Sequence, residues 1–194
     1  MIDENAYGLL IAWFDLEDVE YSLEREQFVE RYSELAAAFT GCLDALPLGS
    51  GVSVLDLGHA FYVEVADGDE ITDPMRWLRE VRTQLTDAGF ATVGVICHGG
   101  RWIDDAPAAD ASSDQLAQCV ERVGDVRVVR ASRPSEPLRK ALAAEAAAHA
   151  SADDAPGWGP GLYVEAEVIE ALGRKLKNVP TPLLAADSEF YRVA

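Results

Sequence analysis

The residues best suited by type to do chemistry are carboxylates. Asp15, Glu17 and Asp18 follow a short apolar run, Tyr7 to Phe14, where a buried strand would end. Carboxylates there offer the hard oxygen ligands that divalent cations prefer. The same acids suit a solvated turn before a helix, whose N-terminal dipole favours negative charge. His59 and His98 border other strand-like runs, and with Asp15 or Asp56 they would supply a first shell for zinc, provided the fold brings them together. Cys97 and His98 could act as a nucleophile pair only past a strand end, because strand neighbours point to opposite faces. Neither a G-x-S-x-G elbow nor a G-x-x-x-x-G-K-[ST] phosphate loop occurs. No catalytic residue, metal or cofactor is assigned from the sequence.

Charge is the stronger signal. The chain has 194 residues and a formal net charge of −18. Its first 75 residues carry seventeen carboxylates against two basic side chains, Arg25 and Arg31. A field of this sign repels nucleic acid and anionic membrane and attracts basic partners. The one basic cluster, Arg174-Lys175-Leu176-Lys177, is too small to reverse that. Glu26, Glu30 and Glu34 place like charges four residues apart, which weakens an isolated helix. An acidic binding surface is therefore expected at Asp15, Glu17, Asp18, Glu20, Glu26, Glu30, Glu34, Asp67, Asp69 and Glu70. The function it suggests is non-enzymatic: neutralising or holding a basic protein partner, as an immunity protein or inhibitor does. The alternatives are a palm-like metal or nucleotide enzyme and a structural scaffold.

Three cysteines without C-x-x-C spacing, Cys42, Cys97 and Cys119, fit reduced thiols and a cytoplasmic location. The longest apolar run, Gly8 to Phe14, is too short to span a bilayer. The N-terminus lacks the basic and apolar regions of a signal peptide.

The elements that must position these residues follow from periodicity. Tyr7 to Phe14 predicts a central strand. Ser22 is expected to cap a helix with Phe28, Tyr32, Leu35, Phe39 and Leu46 on one stripe. Val52 to Leu57 and His59 to Ala66 predict two strands around Gly58, and Asp73-Pro74 predicts a helix start, with Trp77, Leu78, Val81 and Leu85 as its apolar face. Phe90 to Cys97 predicts another strand. The resulting β-α-β-β-α-β order is the ferredoxin-like split unit, an α+β fold with helices on one face of an antiparallel sheet. This core is expected over residues 7–97, within a single domain in which residues 112–194 form an α/β extension. That extension should contain a short helix through Leu116 to Val123, a strand at Val126 to Val129 and a helix from Leu138 to Ala150 begun by Ser135. A helix at Val164 to Leu172 and a last strand at Phe190 to Val193 complete it.

The run Trp13-Phe14-Asp15, then Gly58-His59-Ala60-Phe61, then Val93-Gly94-Val95-Ile96-Cys97-His98-Gly99-Gly100 resembles, in order and spacing, the class III nucleotidyl cyclases. That family has an F-x-D strand end, a G-D-(A/G)-F hairpin and a later strand resembling I-G-I-H-x-G. The resemblance spans roughly residues 7 to 100 and implies a palm-like fold with Asp15 as one metal carboxylate. His59 stands where the family carries its second metal aspartate, and imidazole is a poor substitute for a hard carboxylate toward Mg²⁺. The family's later asparagine and arginine find no match.

Overall fold

Alternation along one strand organises the molecule. In β1 (Glu4–Trp13), Tyr7, Leu9, Ile11 and Trp13 point to one face, while Leu10 and Ala12 point to the other, and all are buried. A strand buried on both faces must be central, as the continuous apolar run predicts. The computed structural model describes residues 4–44, 52–66, 73–101, 135–150, 157–173, 181–185 and 187–193. In chain order the remaining elements are α1 (Leu16–Ser22), α2 (Arg25–Asp44), β2 (Val52–Asp56), β3 (Ala60–Ala66), α3 (Pro74–Asp87), β4 (Thr92–Arg101), α4 (Glu136–His149), β5 (Gly161–Glu165), α5 (Ala166–Ala171), β6 (Leu183–Ala185) and β7 (Ser188–Val193).

Among the described residues the sheet has seven strands in the order β2-β3-β1-β4-β5-β7-β6. Its first four strands are the expected ferredoxin-like unit, with β1 antiparallel to both β3 and β4. The C-terminal half continues the same sheet. β5 pairs in parallel with β4, and β7 and β6 add antiparallel strands beyond it.

Helices α2 and α3 cover one face. Leu35, Phe39 and Cys42 of α2 and Trp77, Leu78, Val81 and Leu85 of α3 close over the first set of β1 side chains, and Val168 and Ile169 of α5 join them. Burying each large side chain contributes about 1.5–3 kcal/mol. Asp73 caps α3 by accepting a hydrogen bond from Arg76 N at 3.0 Å, with Pro74 in the first turn. On the opposite face lies α4, whose Leu138, Ala141, Ala144 and Ala148 pack on Leu10, Ala12, Tyr62, Val95 and Cys97. Small residues let this helix approach closely. A Cβ on Gly8 would stand 2.5 Å from Tyr62 Oη and 2.7 Å from Pro137 Cβ.

Three expectations change. Ser22 ends α1 instead of capping α2, and its hydroxyl donates back to the Val19 carbonyl. The apolar run predicted as a helix at Val164 to Leu172 is divided between β5, fully buried, and the six-residue α5, because pairing with β4 and β7 outweighs local helix preference. β4 runs on to Arg101, so Cys97 and His98 lie within the strand on opposite faces, and the nucleophile pair is lost. Leu46, the turn at Asp67 to Asp69, Cys119, the helix and strand expected between Leu116 and Val129, and the basic cluster at Arg174 lie outside the described residues.

Candidate functional site

The chemistry-bearing residues gather at the rim of the sheet where β1 ends. Two backbone hydrogen bonds build it: Trp13 N donates to the His59 carbonyl at 3.1 Å, and Phe14 N donates to the Ala91 carbonyl at 2.8 Å. The end of β1 is thereby held between the β2–β3 hairpin and the start of β4. The hairpin itself turns through Gly58, at φ +82°, whose N–H donates to Asp56 Oδ1 at 2.8 Å. A side chain at that φ would be strained, which explains the glycine.

Asp15 stands just past β1 as the residue before α1, and its side chain makes no capping bond. Its Oδ1 is buried and has no hydrogen-bond partner among the described residues. A buried carboxylate oxygen is costly until a donor or a cation meets it. Asp56, at the end of β2, accepts a hydrogen bond from Tyr32 Oη at 3.2 Å. Burial, followed by the negative charge of Asp56, raises the Tyr32 pKa to about 12.

His59 faces α4. Its Nδ1 lies 3.2 Å from the Leu57 carbonyl, an acceptor, so Nδ1 is the donor in that contact. Nε2 then looks toward Glu145 Oε2 at 3.8 Å. The other Glu145 oxygen is 2.9 Å from His149 Nε2, and the His149 ring stacks on Phe14 at 5.0 Å. So α4 brings a nearly buried carboxylate between two imidazoles at the rim. Neither Glu145 nor His149 was singled out from the sequence. The available signal was their i, i+4 spacing on one helix, and it gains meaning only once the hairpin is seen beside them.

His98 does not join this group. It pairs with Tyr7, six residues before Trp13 along β1, so about 20 Å separates it from the rim. Its ring packs against Tyr7 and its main chain serves a different cluster. His98 N donates to Glu165 Oε2 at 2.8 Å, and the His98 carbonyl accepts from Lys140 Nζ at 3.0 Å. Lys140 also contacts Glu165 at 2.8 Å, Glu167 at 2.9 Å and Glu136 at 3.1 Å. Burial alone would lower the Lys140 pKa; the bonds to Glu165 and Glu167 outweigh it and hold the ammonium charged. Beside it, Tyr62 Oη donates to Glu64 Oε2 at 2.8 Å, and the Ser135 hydroxyl bonds the same oxygen. Ser135 also caps α4 by accepting from Leu138 N. These two buried clusters fasten α4 to the sheet.

Of the expected acidic surface, Glu20, Glu26, Glu30 and Glu34 are exposed, while Asp15 is half-buried. Glu34 is engaged by Arg31 at 2.7 Å. The side chains of Glu17 and Asp18, and residues Asp67, Asp69 and Glu70, lie outside the described set.

No protein-family model and no curated protein matches the chain. Among solved structures, the chain is similar to the adenylyl cyclase CyaB from P. aeruginosa, with a TM-score of 0.59 and 9% identity, over 98% of this chain and 94% of that one. At that identity the likeness shows a shared fold, an α+β palm of ferredoxin-like type. It overturns the expectation of a non-enzymatic immunity-type or inhibitor protein. That expectation rested on surface charge, which bears on solubility and encounter but not on architecture. The shared fold runs along nearly the whole chain.

A two-metal centre of the kind the resemblance implies needs two carboxylates. Here one is Asp15 and the other position holds His59, and among the described residues no three His, Cys, Asp or Glu side chains are arranged to hold a metal ion. The donor set does not fit a pair of hard cations.

Proposed function

We propose that this chain is a nucleotide-binding domain of the class III cyclase type whose metal centre is degenerate, so that it binds a nucleotide without cyclising it. The observation that carries this reading is the Trp13 N to His59 carbonyl bond of 3.1 Å, which seats His59 beside the end of β1, where the resemblance would have the second metal aspartate. The fold likeness to a cyclase and the Asp15 oxygen that has no hydrogen-bond partner among the described residues support it. Among the described residues no helix is long and apolar enough to cross a membrane. The reading places the domain in a reducing cytoplasm, which suits the buried free thiols of Cys42 and Cys97.

Calorimetric titration with ATP and GTP, each with Mg²⁺ and with Mn²⁺, tests it, alongside chromatography for cyclic nucleotide. Saturable binding with no cyclic product is the expected result. Failure of both nucleotides to bind at millimolar concentration, or steady cyclic-nucleotide turnover, overturns it.

A further inference from the structure

We draw no further inference here: the strongest candidate, the side-chain cluster of His59, Glu145 and His149 at the rim where β1 ends, belongs to the site already described and is not arranged to hold a metal ion.

Discussion

Lys140 carries an electrostatic consequence that its place in the sequence does not show. It is nearly buried, as is its partner Glu165 at 1% exposure, and three carboxylates and a carbonyl surround its ammonium. Lys140→Met leaves Glu165 buried without a counter-charge, a loss of about 3–5 kcal/mol. Urea denaturation followed by circular dichroism should show the fall in midpoint, and Arg139→Met on the exposed side should change it little. The same cluster sets a pH dependence. The folded-state pKa of Lys140 is raised, so its contribution is complete below the unfolded value near 10.4 and disappears as pH rises through the folded value. Tyr32, raised to about 12, adds a loss of stability between about pH 10 and 12. Glu136 behaves oppositely. Burial pushes its pKa up, but the Gly100 N–H and Lys140 prevail and lower it, so its contribution is present above the unfolded value and lost as pH falls. Thermal melts against pH should therefore show a broad plateau with declines on both flanks; a melting temperature that keeps rising past pH 10 contradicts the assignment. Lys140 itself reads as an ordinary helical lysine in sequence, since Glu165 and Glu167 reach it only through the β4–β5 pairing.

At the scale of elements, the most informative contact is that of α4 with β1. Gly8 lies under the start of α4, and a methyl group there would collide with Tyr62 and Pro137. Gly8→Ala is expected to cost about 1–3 kcal/mol by overpacking, and to speed hydrogen exchange along α4 more than along α3. Equal effects on both helices would show that α4 is not seated in this way. The helix was legible before folding was considered: Ser135 at the cap, Pro137 in the first turn and the alanine run all specify it. Its place was not. Nothing in the spacing of Leu138, Ala141, Ala144 and Ala148 says that they cover the face opposite α2 and α3, because a helical stripe reports that a partner exists without naming it. The division of Val164 to Leu172 into a strand and a short helix was missed for a related reason. Short apolar runs carry no period that separates a buried strand from a buried helix.

Across the whole molecule, self-repulsion from the net charge of −18 opposes compaction and is screened by salt. Raising sodium chloride from about 10 mM to 500 mM shortens the Debye length from ~30 Å to a few ångströms, and a clear rise in melting temperature is expected. An unchanged melting temperature would mean that local pairs such as Arg31–Glu34 and Arg76–Glu80 already balance the surface. What the sequence determined alone was the β-α-β-β-α-β order, the caps at Asp73 and Ser135, and the carboxylate at the end of the central strand. Each of these is written in neighbours a few residues apart, through periodicity, turn chemistry and capping. Only the tertiary structure decided that His59 sits at the rim with Glu145 and His149 while His98 lies at the far end of β1. It alone decided that the C-terminal strands extend the same sheet. Those relations depend on strand order and register between segments as much as a hundred residues apart, and a chain's local preferences do not encode which distant strand becomes its neighbour.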